Sequence, residues 1–419
     1  MNRLKGMFDI TADGPYYARI QAAIRTMAER HHLMRIDTPI LEATDLFHRG
    51  MGDETDVVAK ETYTFEDRGG RSVTLRPEGT AGMVRALIEH KLYAEPGAVK
   101  KYYYEGPMFR YERPQKGRFR QFHQYGVELF GAAHPALDAD LLVLAYDFMN
   151  TLGLNGHLEI NQLSETSKPA YTDALKAHLK PHLKDLCQDC QTRYEKNPLR
   201  ILDCKVDATH DAIQTAPMPL DFMTDEETAY FEAVKSHLDA VGVPYTVNKK
   251  MVRGLDYYTG LVFELKVDEA LLGAQNTIAG GGRYDHLVKT LGGPELPATG
   301  FAFGLERLVV ALKAADDTPL KMPLDVYIMV LDNSLTEEAL VLAQALRRGG
   351  ARVDLAYHGG SMKAQFKAVA QKNAQYAALL GPDEVAHNTL TLKHQTSDAT
   401  HEVALDDIES MLQLLGESS

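Results

Sequence analysis

The chain has 419 residues, more than one ordinary hydrophobic core organises, so two or three domains are expected. With 45% hydrophobic and 25% charged residues the composition is that of a globular protein, and no stretch approaches the roughly 20 apolar residues a membrane helix needs. A net charge of −13 excludes a broadly basic nucleic-acid binder, but not local basic patches, which govern such affinity.

In chain order, Met1 to Ile10 is charged early and lacks the apolar stretch of a secretory signal, so a cytoplasmic protein is expected. After Asp13-Gly14-Pro15, the run Tyr16 to His32 reads as an amphipathic helix with Ile20, Ala23, Ile24, Met27 and Ala28 on one stripe. Arg35 to Leu41 reads as a strand ended or kinked by Pro39. A glycine turn at Gly50 to Gly52 and a polar hairpin around Asp67 to Gly70 follow. Arg76-Pro77-Glu78-Gly79-Thr80 leads into a helix from Ala81 to His90.

From Ala98 to Phe130 the residues are β-type. Val99–Tyr104, Met108–Glu112 and Arg118–Phe130 read as strands joined by short loops, the last of them Arg113–Gly117, which predicts an antiparallel sheet. A helix from Asp138 to Met149 covers it. Residues from about 165 to 242 are polar, helix-rich and broken by prolines, as in an inserted helical module. Sheet character returns at Tyr245–Lys249, Leu261–Val267 and Gly280-Gly281-Gly282, and Ala298–Leu312 is a strand turning into a helix at Gly304. Past a charged, proline-containing linker at Asp316 to Pro323, strands at 324–330, 352–355 and 376–380 alternate with helices at 335–348 and 363–372. That pattern predicts a small α/β unit with parallel or mixed pairing.

Three cysteines argue against a disulfide framework. Cys187 and Cys190 form a C-x-x-C pair with Cys204 fourteen residues on, and His210 is the candidate for a fourth ligand. The second half of a zinc pattern is incomplete, so three reduced thiols and no metal are expected.

The densest polar constellation lies on the central hairpin. Alternation puts Arg110 and Glu112 on one face, and Arg118, Phe122, Gln124, Gly126 and Glu128 on one face of the partner strand. Burying such a set is costly unless it lines a site. Glu78 and Thr80 suit either a helix start or a site. Arg253-Gly254-Leu255-Asp256-Tyr257-Tyr258 could be a structural ion pair with two tyrosines. Arg307 sits in a first helical turn, where a cation is disfavoured unless an anion such as phosphate joins it.

Together these strings resemble the class II aminoacyl-tRNA synthetases, specifically the histidyl-tRNA synthetases, along the whole chain. Phe109-Arg110-x-Glu112 with Arg118 to Phe122 is similar to motif 2, and Gly304-Leu305-Glu306-Arg307 to motif 3. The first helix and the strand ending at Pro39 are similar to the dimer-forming motif 1. The histidine-specific strings are Arg253 to Tyr258 and Gly281-Gly282-Arg283-Tyr284-Asp285.

The resemblance implies an α+β protein. A class II catalytic domain with an antiparallel sheet would span 1–322, with the helical insertion at about 165–242, and an α/β anticodon-binding domain would span 323–419. It implies a homodimer that activates histidine with ATP, accompanied by Mg²⁺, and charges tRNA(His). Arg110 would hold the α-phosphate, Glu112 read the adenine amino group and Phe122 stack on adenine, with Arg118 and Arg307 at the γ-phosphate. Glu78, Thr80 and Gln124 would take the histidine ammonium and carboxylate. Glu128 and Tyr258, with Tyr257 alongside, would take the imidazole, and Arg253 would bridge the attacking carboxylate and the α-phosphate. Gln115 and Lys116 would meet the acceptor stem. The rival is a non-catalytic regulatory subunit of ATP phosphoribosyltransferase built on the same fold. Such a protein would lack the intact Arg253 to Tyr258 string and the unit after Pro323.

Overall fold

The two longest strands, Lys100–Phe109 and Gln121–Phe130, are rich in aromatic residues and pair side by side in the large sheet of the first unit. The computed structural model describes residues 1–416 except 53, 54, 56, 95–98, 164, 165, 203, 205, 274, 275, 317–319, 321, 359 and 398. Ala98 at the head of the β-rich region, Glu165 at the start of the insertion and part of the expected linker therefore lie outside the described residues. The chain divides into two compact units, Met1–Thr318 and Pro319–Ser419. Among the described residues no helix is long and apolar enough to cross a membrane.

The strands of the first unit are β1 (Met34–Arg35), β2 (Leu41–Ala43), β3 (Tyr63–Glu66), β4 (Ser72–Leu75), β5 (Lys100–Phe109), β6 (Gln121–Phe130), β7 (His157–Gln162), β8 (Tyr245–Val247), β9 (Leu261–Lys266), β10 (Thr277–Arg283) and β11 (Ala298–Gly304). Eight of them form one sheet in the order β1-β5-β6-β11-β10-β9-β7-β8, antiparallel except for the edge pairs β1–β5 and β7–β8. A small sheet, β2-β4-β3, stands apart.

Register explains where the cleft forms. Glu128, Gly126 and Gln124 of β6 pair with Gly300, Ala302 and Gly304 of β11, and Gly300 and Ala302 pair with Gly282 and Gly280 of β10. One face of β10 and β11 is thus glycine and alanine, and the missing side chains leave open floor. The other face carries Tyr125, Val127, Leu129, Phe301 and Phe303, all buried. The helix Pro135–Thr151 covers it, with Phe148 against the rings of Tyr125 and Phe303 at 4.9 Å each.

Two expected strands, Val99–Tyr104 and Met108–Glu112, prove to be one strand, β5, which stops at Phe109, so Arg110 and Glu112 lie just past its end and not on a strand face. Pro107 does not break it. Tyr103, Pro107 and Phe109 direct their backbone groups to the side away from β6, where the Pro107 carbonyl accepts from Arg76 Nε at 2.9 Å. A proline there costs no ladder bond. Arg118 is not on a strand face, since β6 begins at Gln121 and Arg118 forms a turn with Gln115. Gly50 belongs to a helix, Thr44–Met51, ended by Gly52 at φ 88°. The stripe of the helix Gly14–Arg30 is buried inside this chain, against the helices Pro135–Thr151 and Leu305–Ala315. It is core, and gives no support of its own to a dimer.

The inserted region builds its own core from Tyr171, Leu175, Leu179, Cys190, Ile201 and Ile213. The second unit holds β12 (Leu324–Val330), β13 (Val353–Leu355), β14 (Ala374–Leu380), β15 (Thr389–His394) and β16 (Thr400–Ala404) in the order β13-β12-β14-β15-β16. The first three pair in parallel and the last two are antiparallel, a mixed sheet with a separate core.

Candidate active site

Above the glycine floor lies a cleft in two adjoining compartments. Glu78, Thr80, Arg253, Tyr257, Tyr258 and Tyr284 are among the residues lining the inner one, and Glu112, Arg118, Phe122 and Arg307 the outer one. Arg110, Gln124 and Arg253 face both. Eleven of the twelve residues expected to meet histidine or ATP therefore converge on one cavity, from six separate segments of the chain. The twelfth, Glu128, sits at the floor beside Gly300, its Oε2 occupying the space a Cβ on Gly300 would take. Gln115 and Lys116 stay outside, exposed on the loop between β5 and β6.

Glu78 is both helix start and site wall. Its two carboxylate oxygens accept the N–H groups of Thr80 and Ala81, each at 2.7 Å, at the head of the helix Thr80–Glu89. Burial raises the Glu78 carboxyl above its ordinary value, and those two donors pull it back. In the same compartment, Gln124 Oε1 is buried with no hydrogen-bond partner among the described residues. An orphaned acceptor sharing a compartment with a buried carboxyl is a place prepared for an ammonium group.

Glu128 accepts from the Thr80 hydroxyl at 2.8 Å and from the Tyr284 hydroxyl. Burial pushes its carboxyl up to about 8 despite both bonds. A protonated carboxyl carries one O–H donor and further acceptor positions, so it can still meet a ring nitrogen. The rings of Tyr257, Tyr258 and Tyr284 stand around it, 4.7 and 5.5 Å from Tyr257 to the other two. Aromatic walls closed by a buried carboxyl suit a flat ring with an N–H.

The outer compartment is cationic. Arg110 donates from Nε to the Pro77 carbonyl at 2.9 Å and lies 5.3 Å over the Phe122 ring. Glu112 stands 3.8 Å from both Arg110 and Arg118. Burial, with Arg118 nearby, lowers the Arg307 guanidinium to about 10. Crowded cations of this kind are relieved by an anion of high charge. Between the compartments Arg253 donates from Nη1 to Glu264 at 2.5 Å and lies over Gly280.

Sequence reasoning assigned no role to Glu264 or Tyr284. Tyr284 was visible inside Gly281 to Asp285. Glu264 was signalled by alternation in β9, where Val262, Glu264 and Lys266 share a face. Arg283, from the same string, is structural: it donates to Asp138 at 2.7 and 3.0 Å, both side chains buried. Glu306, in the wall of the outer compartment, accepts from the Tyr17 hydroxyl and the His123 N–H, tying the first helix to β6.

His210 does not join the cysteines. Its Nδ1 accepts from the Ala212 N–H at a helix start.

Comparison with known proteins agrees with this geometry. A family model described as Histidyl-tRNA synthetase matches residues 12–308, and one described as Anticodon binding domain matches 325–415. Histidine--tRNA ligase 1 of Shouchella clausii is 48% identical over 413 residues, 98% of this chain and 97% of that protein. The structure of apo S. aureus histidyl-tRNA synthetase is 36% identical with a TM-score of 0.81, covering 99% of this chain and 100% of that one. An ATP phosphoribosyltransferase regulatory subunit/histidyl-tRNA synthetase from Bacillus halodurans C matches at TM-score 0.61 and 20% identity, over 90% of this chain and 97% of that one. That likeness shows the fold alone. With the cleft intact and both family models matched, this chain belongs to the histidyl-tRNA synthetase family, with a class II catalytic domain and an anticodon-binding domain.

Proposed function

We propose that the chain is a histidine–tRNA ligase. A histidine carboxylate oxygen attacks the α-phosphorus of ATP, the bond to the β-phosphate bridge breaks, and diphosphate leaves. A ribose hydroxyl at the 3′ end of tRNA(His) then attacks the carbonyl of histidyl-adenylate and AMP leaves. The observation that carries this reading is the junction of the compartments, where Arg253 and Arg110 face the space shared by an acid- and tyrosine-lined cavity and a cationic one.

Attack of one anion on another needs positive charge where negative charge accumulates, and guanidinium groups supply it in forks. Arg253 would bridge the carboxylate and the α-phosphate, Arg110 would hold the α-phosphate from the other side, and the pair would align the displacement. Glu78, Thr80 and Gln124 would take the ammonium and carboxylate, and Glu128 and Tyr258 the imidazole, with Tyr257 as wall. Phe122 would stack on adenine, Glu112 accept from its amino group, and Arg118 and Arg307 meet the γ-phosphate.

Mg²⁺ would arrive on the phosphates, because the carboxylates lining the outer cavity are already engaged, Glu112 by Arg110 and Arg118 and Glu306 by Tyr17 and His123. Gln115 and Lys116, exposed beside the cleft, would touch the acceptor stem. The second unit, past about residue 322, would read the anticodon, and the helical module at about 165–242 would border the active site. Exposed Met34, Ile40 and Leu41 along the β1–β2 segment support a homodimer, and the family reading implies a cytoplasmic protein. ATP-dependent attachment of labelled histidine to a tRNA(His) transcript tests the proposal. Charging of that transcript and not of another tRNA supports it, and no charging by folded protein sinks it.

A further inference from the structure

The helical module holds a cluster that histidine activation does not use. Cys187 and Cys190 flank the start of the helix Gln188–Lys196, and Cys204 and Asp207 lie in the turns after Pro198–Ile201. The two pairs have the same spacing, C-x-x-C and C-x-x-D. Their four ligand atoms all lie within 4.8 Å of one another. We propose that Cys187, Cys190, Cys204 and Asp207 form a tetrahedral site for a single zinc ion, in place of the three reduced thiols expected from the sequence.

Distances agree with that geometry. Cys187 Sγ is 3.7 Å from Cys204 Sγ, and Cys204 Sγ is 3.7 Å from Asp207 Oδ2. Zinc bonds of about 2.3 Å to sulfur and 2.0 Å to oxygen at tetrahedral angles put donors about 3.8 Å and 3.5 Å apart. Donors this close surround one ion and leave no room for an iron–sulfur cluster. Three sulfurs and one carboxylate also suit zinc better than calcium or magnesium, which take oxygen.

The surroundings hold the donors in place. The Asp207 N–H donates to Cys204 Sγ at 3.4 Å, and the Cys187 N–H to Asp207 Oδ2 at 3.0 Å. Backbone donors of this kind orient metal ligands and stabilise their charge. Cys190, Cys204 and Asp207 are buried and Cys187 half-buried, so an ion has a way in. Four protein donors leave no position for substrate, which makes the role structural. The ion would clamp residue 187 to residue 207 around the segment that grips the active-site loop. There Asn197 donates to Asp256 Oδ1 at 2.8 Å and Arg200 to the Gly254 carbonyl at 3.2 Å.

Elemental analysis of the full chain, purified without chelator, tests the site. We expect about one zinc per chain, less than a tenth of that in Cys190→Ser, and retention in Asp207→Cys, which substitutes a fourth thiolate. Cobalt(II) added to chelator-stripped, reduced wild type should give the intense visible bands of a tetrahedral thiolate complex, and this readout holds even if Cys190→Ser fails to fold. Metal-free chain with a silent cobalt spectrum and all three thiols titrating overturns the proposal. A single titrating thiol, from oxidation of the other pair to a disulfide in the purified chain with no zinc bound, overturns it equally.

Discussion

Replacing Gly280 by alanine puts a methyl group where the Arg253 guanidinium lies. The added Cβ would stand 2.3 Å from Arg253 Nη2 and 2.6 Å from both Cζ and Nη1, against about 3.5–4.0 Å for a relaxed contact. The guanidinium must retreat by about 1 Å or more, and its bond to Glu264 at 2.5 Å restricts where it can go. The Gly280 backbone is ordinary strand, paired with Glu264 and Ala302, so the clash falls on a side-chain end and the sheet is spared. Displacing by about 1 Å a group aligned on the reacting phosphorus costs about 100-fold in rate, or about 2.7 kcal/mol of barrier. Histidine-dependent ATP–pyrophosphate exchange by Gly280→Ala should fall by that factor, mostly in kcat, while the thermal midpoint moves by no more than about 3 °C. Exchange within about threefold of wild type would remove Arg253 from the transition state.

Three further outcomes are expected. Glu128, pushed up to about 8 from an ordinary 4.5, holds its proton in the folded chain across a range where the unfolded chain has lost it. Its contribution to stability is therefore full below about pH 4.5 and lost as pH rises through about 8, so the thermal midpoint of the free protein should fall over that window and Glu128→Gln should flatten the fall. Arg283→Ala leaves Asp138 buried without its cation; denaturant unfolding should register a loss of about 3–5 kcal/mol. Lys116→Ala should raise KM for tRNA(His) in charging assays while histidine-dependent exchange persists, and an unchanged KM would take Lys116 off the acceptor stem.

The site was legible in the sequence because its chemistry is carried by charged residues that sheet periodicity cannot otherwise justify. Arg110, Gln124 and Arg253 stand out against apolar neighbours, and they meet in one cleft. Less legible was what each residue leans on. Nothing local in Gly280 or Gly300 announces that register will set them against Arg253 and Glu128. In the sequence β5 reads as two strands, with Glu105-Gly106-Pro107 left between them, because the direction of the Pro107 backbone depends on a neighbour far away in sequence. In the second unit β15, β16 and the helix Ile408–Gly416 went unread, their short strands alternating with polar residues as a loop can. Asp207 was not legible as a partner of the cysteines because a histidine is by type the more usual fourth zinc ligand, yet the fold turns His210 to capping.

Histidine activation is tested most directly by ATP–pyrophosphate exchange with each of the twenty amino acids, in wild type and in Arg253→Ala. Exchange with histidine alone, reduced by about 100-fold or more in the variant, is the predicted result. No exchange with any amino acid by protein shown to be folded would contradict it and favour a regulatory protein on the same fold.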